Sequence, residues 1–292
     1  MRSSDVIRLL SLAAIWGASF LFMRVAAPVL GVFWTSEIRV GLAGLALLLL
    51  MWFSQRATGW RVHWQSLLLL GTVNSALPVA LYAYAAMHMP AGYSAIVNAT
   101  SPLWGAVCGA LWLGERLSGR KLLGMAVGVA GVALLVRLGP VAMSRELLLA
   151  VFACVGATIC YALAGIYSKK ISGSISAMQM ASGSQLGAAI VLLPFFPLAS
   201  VTGTVSSLVL LAAVALALLC SAAAYPLYFR LLRDLGPSKA LTVTFLIPLF
   251  ALLWSALFLG ETIAPSTLFG CAAVVLATWL VVFAPATPER GT

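Results

Sequence analysis

The sequence predicts an all-α polytopic membrane protein: ten transmembrane helices in two inverted five-helix repeats, N-in and C-in. Three observations predict it. Of 292 residues, 63% are hydrophobic and only 8% charged, against about 25% charged in a soluble domain. Two stretches, 62–114 and 171–229, contain no Asp, Glu, Lys or Arg, and no water-soluble fold could cover such runs with polar surface. The chain also repeats itself 146 positions on: NATSPLWGAVCGALWLGE from Asn98 matches TFLIPLFALLWSALFLGE from Thr244. Pro102 then falls on Pro248, Leu113-Gly114-Glu115 on Leu259-Gly260-Glu261, Gly124 on Gly270 and Tyr82 on Tyr228. The short alternating segments of a transmembrane barrel are absent.

Ten apolar runs follow in order. The first, 6–27, has a basic start but is long, holds Trp16 and Arg24 and lacks a small-residue cleavage site, so it reads as a retained helix rather than a signal peptide. The second, 33–53, carries Glu37 and Arg39; two residues apart, they do not share a helix face, and Glu37 is expected to reach Arg24. The third, 66–87, and fourth, 91–113, are free of charge and centred on Pro78 and Pro102. The fifth, 120–137, starts behind Ser118 as N-cap and carries Gly124, Gly128 and Gly131. That spacing lets helices approach closely, so the fifth and tenth runs read as scaffold or dimer surface. The sixth, 147–168, contains Tyr161, and the seventh spans 176–197. The eighth, 206–231, has Pro226 with Ser221 a turn before it, and the ninth, 238–259, is centred on Pro248. The tenth, 265–284, opens on Pro265 with Thr262 as N-cap. Glu115 and Glu261 are placed to favour the start of the helix that follows each. His63 and His88 read as loop residues.

Basic residues fix the orientation. Thirteen (Arg2, Arg8, Arg56, Arg61, Arg116, Arg120, Lys121, Lys169, Lys170, Arg230, Arg233, Lys239 and Arg290) lie inside if the N-terminus is cytoplasmic, and three (Arg24, Arg137 and Arg145) outside. The net charge of +10 therefore sets topology and does not imply a nucleic-acid partner. Five is odd, so the halves, 1–137 and 138–292, enter the membrane from opposite sides. Such inverted repeats suit secondary transporters, whose halves exchange roles as inward and outward gates, although duplicated membrane proteins that transport nothing also exist. Cys108, Cys154, Cys160, Cys220 and Cys271 all lie inside apolar runs without C-x-x-C spacing and read as core residues, not a metal or redox site.

A mid-helix Pro frees the carbonyl four residues back, which in lipid needs another partner or a wet cavity. Four residues before Pro78, Pro102 and Pro248 stand Asn74, Asn98 and Thr244. Each polar side chain could heal its own kink; three at one depth point to a solvated cavity. The candidate substrate-binding residues are Trp16, Ser19, Asn74, Tyr82, Asn98, Tyr161, Ser221, Tyr225 and Thr244, with Tyr84 and Tyr228 on the same spans. Pro78, Pro102 and Pro248 are the candidate gating positions. The span centres are read as lacking Lys, Arg and carboxylates, which favours a neutral or zwitterionic cargo over phosphates or organic cations. No nucleophile–base pair, metal cluster or nucleotide-binding motif stands in the sequence, so an enzyme, a cofactor and a metal are not expected, and an ATP-driven pump would need a partner chain.

Ten spans, the inverted repeat, Trp16-Gly17, and Leu-Gly-Glu closing the fourth and ninth spans resemble the drug/metabolite transporter superfamily with two EamA-type domains. The resemblance covers nearly the whole chain, and its general likeness is to the YddG-type bacterial amino-acid exporters. It implies a multi-pass carrier of small organic solutes in the bacterial inner membrane, with a central cavity lined by spans 1, 3, 4, 6, 8 and 9. The expected function is export of small neutral amino acids, aromatic ones included, and related metabolites by alternating access. A carrier of another small neutral metabolite or drug, or a lipid scramblase or channel, remains open. So do the driving force and the choice of monomer or homodimer.

Overall fold

The computed structural model describes residues 3–55, 60–114, 117–138, 141–235 and 242–283, and every regular element among them is helical. Helix α1, Ser3–Phe53, is one run with a break at Gly31, whose φ of 73° and ψ of 177° leave the helical region. Side chains rarely adopt that φ, and a Cβ there would lie 2.6 Å from the Ser200 carbonyl oxygen. Thr202 fastens the bend, its N–H donating to Val29 O at 2.9 Å and its hydroxyl to Pro28 O at 2.6 Å. The first two predicted spans are thus two arms of one bent rod.

Next come α2 (Trp60–Gly71), a π-helical turn (Thr72–Ala76) and α3 (Leu77–His88), together the third predicted span. The fourth is α4 (Ala91–Asn98) and α5 (Ser101–Leu113). Then follow α6 (Gly119–Leu138), α7 (Arg145–Ile171) and α8 (Ala177–Leu192), the last running into a 3-10 turn, Leu193–Leu198. The eighth predicted span divides into α9 (Ser207–Ala217), a second π turn (Leu218–Ala223) and α10 (Ala224–Leu235). The chain closes with α11 (Val243–Leu259) and α12 (Pro265–Val282). Seven helical runs among the described residues are long and apolar enough to cross a membrane, and α11 is a shorter apolar helix.

Local chemistry explains most boundaries. Ser144, Ser176 and Ser206 cap α7, α8 and α9, Ser176 in a full capping box with Gln179. Ser118 accepts from Lys121 N–H at the start of α6, as expected. Thr262 does not cap α12: Ala264 holds that position without a side-chain bond, and Pro265 opens the helix. His63 and His88 are not loop residues; His63 lies within α2 and His88 ends α3. The recurring Leu-Gly-Glu has a backbone cause. Gly114 and Gly260 end α5 and α11 in the left-handed region, at φ 67° and 65°, a conformation in which Gly carries no Cβ penalty. Glu115 lies outside the described residues.

Contacts between segments come in matched pairs. Helix α3 lies along α7, with Tyr82 and Tyr161 stacked at 6.1 Å. The segment of α9 and α10 lies along α1 in the corresponding way, with Tyr228 against Trp16 at 5.4 Å. The first arm of α1 also meets α11, where Trp254 Nε1 donates to Ala14 O at 3.0 Å. Its second arm packs on α8, with Gly44 against Leu186. Helices α6 and α12 pack through Gly124, Gly131 and Gly270, each leaving no room for a Cβ. That glycine stripe is therefore covered within the chain. Large apolar side chains such as Trp112, Phe152, Leu211, Phe258 and Phe269 face outward, while Ser75, Ser94, Ser182, Gln185 and Ser221 are buried. Such a surface suits lipid, not water.

Candidate functional site

The site is built around the two π turns. Pro78 and Pro226 have no N–H to give to the ladder, and the wider i→i+5 turn ahead of each accommodates the loss. Turns of this kind are frequent at functional sites. The turns occupy corresponding places: the 146-residue offset carries Thr72–Ala76 onto 218–222, and Ser75 onto Ser221.

Each turn serine is held by the same position of the other repeat. Arg39 Nε, on the second arm of α1, donates to Ser221 Oγ at 3.3 Å. Gln185 Nε2, on α8, donates to Ser75 Oγ at 3.3 Å. Arg39 and Gln185 are themselves 146 residues apart. One contact thus occurs twice, once with a guanidinium and once with an amide. Gln185 Nε2 also reaches Tyr225 Oη at 3.2 Å, and Asn74 Nδ2 donates to Ser75 Oγ at 3.4 Å.

A second group adjoins this one. Tyr82 Oη donates to Asn98 Oδ1 at 2.8 Å. Its ring meets Phe20 edge-on at 5.6 Å and stacks on Tyr161. Arg39, Asn74, Asn98, Tyr161 and Tyr225 remain half-buried although each engages another polar or aromatic group inside the bundle.

Of the sequence-derived candidates, Asn74, Tyr82, Asn98, Tyr161, Ser221 and Tyr225 belong to these two groups. Trp16 packs on Tyr228. Ser19 is buried and donates to Trp16 O at 2.6 Å, healing its own helix. Thr244 is half-buried in the first turn of α11. Tyr84 stands apart, its ring 4.7 Å from His88 at the end of α3.

Several expectations need correction. The interior of the bundle does not lack cations: Arg39, within the second predicted span, is half-buried and donates to the buried Ser221. Glu37 does not reach Arg24; its Oε2 is buried without a hydrogen-bond partner. Arg24 Nε lies instead 3.6 Å from Glu261 Oε1, and its Nη1 donates to Ala86 O at 2.7 Å. Glu261 does not serve the helix that follows it. Both its oxygens accept from Ala91 N–H, at 3.3 and 3.2 Å, at the start of α4 in the other repeat. Pro102 is not mid-helix: the chain breaks at Ala99–Thr100 and Pro102 sits in the first turn of α5. The break is satisfied locally, with Ser101 Oγ donating to Asn98 O and Thr278 Oγ1 to Ala99 O. Pro78 follows the first π turn, and Pro248 alone of the three lies inside a continuous helix.

Sequence reasoning missed the roles of Arg39, Gln185 and Ser75. One signal for Gln185 existed: it is a long polar side chain in the middle of the charge-free stretch 171–229. A cavity of about 720 Å³ between α5, α6 and α7, lined by Leu103, Trp104, Val132 and Phe152 among others, is larger than any polar space described. Its walls are apolar except for Thr100 and offer a polar solute little to bind.

A bundle of apolar helices whose interior concentrates paired polar and aromatic groups around interrupted segments defines a class, the membrane carriers built from two repeats. A family model described as the EamA-like transporter family matches residues 4–137 and again 148–283, and the chain belongs to that family. It is 23% identical over 298 residues to the "Probable amino-acid metabolite efflux pump" of Escherichia coli (strain K12), covering 97% of this chain and 96% of that one. It is 27% identical over 280 residues to the "Uncharacterized inner membrane transporter YedA" of the same organism, covering 94% and 89%. A crystal structure 18% identical in sequence superposes with a TM-score of 0.66 over 96% of both chains, a likeness of fold.

Proposed function

We propose that this membrane transporter is a secondary carrier of the bacterial inner membrane that exports small neutral amino acids, aromatic ones included, and related metabolites by alternating access. Its helical runs make ten crossings, N-in and C-in, in inverted halves, 1–137 and 138–292. Cargo binds among Trp16, Asn74, Tyr82, Asn98, Tyr161, Ser221 and Tyr225, with Ser19 and Thr244 at the edges. Bending at Pro248, at the π turn before Pro78 and at the break before Pro102 accompanies the exchange of access.

The observation that carries this reading is the composition of the interior. Stacked Tyr82 and Tyr161 and the Trp16–Tyr228 pair provide apolar walls. The two serine contacts and the Tyr82–Asn98 bond provide hydrogen-bonding groups beside them. A zwitterion with a bulky side chain needs both. The names of the relatives point the same way, to amino-acid metabolites in one case and to the inner membrane in the other.

Purified protein in liposomes tests it. Labelled phenylalanine and leucine should enter saturably, and faster when unlabelled amino acid is present on the far side. Uptake of neither, with no competition by any amino acid, discards the amino-acid reading. Flux that neither saturates nor accelerates by exchange indicates a pore.

A further inference from the structure

The duplicated serine contact contains its own control. Positions 39 and 185 occupy equivalent places, on segments that pack against each other, and each donates to the serine of the opposite π turn at 3.3 Å. At 185 an uncharged amide makes this contact, so holding the turn requires a donor and no charge. The positive charge at 39 exceeds what the contact requires. It is also costly, because a cation inside an apolar bundle is unfavourable unless something compensates it.

Nothing described in the protein compensates it. Among the described residues, the ion pairs within 4.0 Å are Arg8 with Asp5 and Asp234, and Arg24 with Glu261; no carboxylate lies that close to Arg39. Glu37, two residues away on another face of the helix, leaves Oε2 unpartnered. Arg39 uses Nε for Ser221, and no described hydrogen bond engages its Nη groups. The serine contact therefore fixes the plane of a half-buried guanidinium whose outer donors are unused. A fork of this kind matches a carboxylate.

We infer that Arg39 is the specificity-determining cation of the binding site and anchors the carboxylate of the cargo, while Gln185 is its neutral counterpart and only holds the turn. This rests on the carrier reading above but not on the cargo being an amino acid. The anchored class is monocarboxylates, with or without an amino group. The aromatic walls receive the remainder of the molecule. A neutral amide or amine of the same shape leaves the guanidinium uncompensated and binds less well.

The test pairs acids with their own amides. Phenylalanine and phenylalaninamide, leucine and leucinamide, and 3-phenylpropionate and its amide are compared by thermal stabilisation of the purified full-length protein and by competition for liposome uptake. In the unmodified protein each acid should outbind its amide at least ~10-fold, the factor expected for a charge-assisted hydrogen bond. Arg39→Gln installs the side chain that position 185 already uses, so it should fold. It should raise the half-saturating concentration of the acids about 10-fold or more and abolish the acid-over-amide preference. Arg39→Lys should retain part of that preference, and Gln185→Glu should leave its sign unchanged. Equal binding of acid and amide in every pair overturns the inference, as does an Arg39→Gln protein with unaltered ranking. If Arg39→Gln fails to fold, the pair comparison in the unmodified protein and in Arg39→Lys decides. If 3-phenylpropionate outbinds its amide while no amino acid binds, the amino-acid reading fails and the carboxylate anchor stands. Transport of amino acids and their amides alike does the reverse.

Discussion

Glu261 and Asn98 each carry a polar duty that neighbouring sequence does not display. Glu261 takes the first N–H of α4, an orphan donor of a helix start, and holds Arg24 at 3.6 Å. The side chains of this pair retain 18% and 32% exposure, so the ionic part contributes under ~1 kcal/mol and most of the stabilisation lies in the cap, about 1 kcal/mol. Glu261→Ala should therefore lower unfolding stability in detergent by about 1–2 kcal/mol, and Glu261→Gln, which keeps an acceptor for Ala91 N–H, by less. Equal losses would place the stabilisation in the charge. The Tyr82–Asn98 bond is lopsided in another way. Tyr82 is 3% exposed, whereas Asn98 is half-buried and can turn to water. Asn98→Ala strands a buried hydroxyl, costing about 1–3 kcal/mol; Tyr82→Phe leaves only an amide that solvent can satisfy and should cost less. Thermal melts of the two variants give the order, and liposome uptake should fall for Asn98→Ala at unchanged protein level. Both residues were singled out in the sequence, Glu261 for the start of the following helix and Asn98 for its place four residues before Pro102. Their partners were not, because Ala91 and Glu261 are 170 residues apart and only folding brings them together.

Prolines made the interrupted segments legible but not the form of each interruption. A missing N–H can be absorbed by a π turn, by a break, or by a kink in a continuous helix, and the choice depends on neighbours. The π turn before Pro78 has Gln185 to hold it. The break before Pro102 has Thr278, whose hydroxyl donates to the loose Ala99 carbonyl. Pro248 has a continuous helix around it. Offset partners in sequence are thus unequal in structure, and their substitutions should differ. Pro102 lies in a first turn, where no intrahelical N–H is required, so Pro102→Ala changes little. Pro248→Ala restores a bond and straightens α11. It should lower turnover several-fold with substrate affinity nearly unchanged, while Pro102→Ala keeps turnover within about twofold, the expectation for a site that loses no helical bond. Equal effects on turnover would assign both prolines the same duty. The helix ends at Leu-Gly, by contrast, were legible, since a left-handed helix end is a local property of Gly114 and Gly260.

At the scale of the whole molecule, the 146-residue period written in the sequence returns as recurring contacts: Arg39 to Ser221 and Gln185 to Ser75, Tyr82 on Tyr161 and Tyr228 on Trp16. The pattern of landmarks was therefore legible from composition and repetition alone, because lipid exposure and duplication leave marks along the whole chain. The charge at the centre was not. Arg39 reads as one basic residue among seventeen until the opposite π turn supplies Ser221. Reciprocal contacts between halves also bear on orientation. For position 39 to meet 221 as 185 meets 75, the halves must be related by a two-fold operation, which exchanges them and on a second application restores them. If each half makes five crossings, that axis lies in the membrane plane and the two termini share one side. The basic residues then place both in the cytoplasm, with the segment between α6 and α7 outside, next to Arg145. Green fluorescent protein fused after Thr292 should fluoresce, and alkaline phosphatase fused there should be inactive. Alkaline phosphatase fused after Met143, in a chain truncated at that point, should be active. Active phosphatase after Thr292 means an odd number of crossings or a reversed chain, whereas phosphatase inactive after both Met143 and Thr292 means an even number of crossings in each half. That would make the halves parallel across the membrane, and the reciprocal serine contacts would then need an axis along its normal.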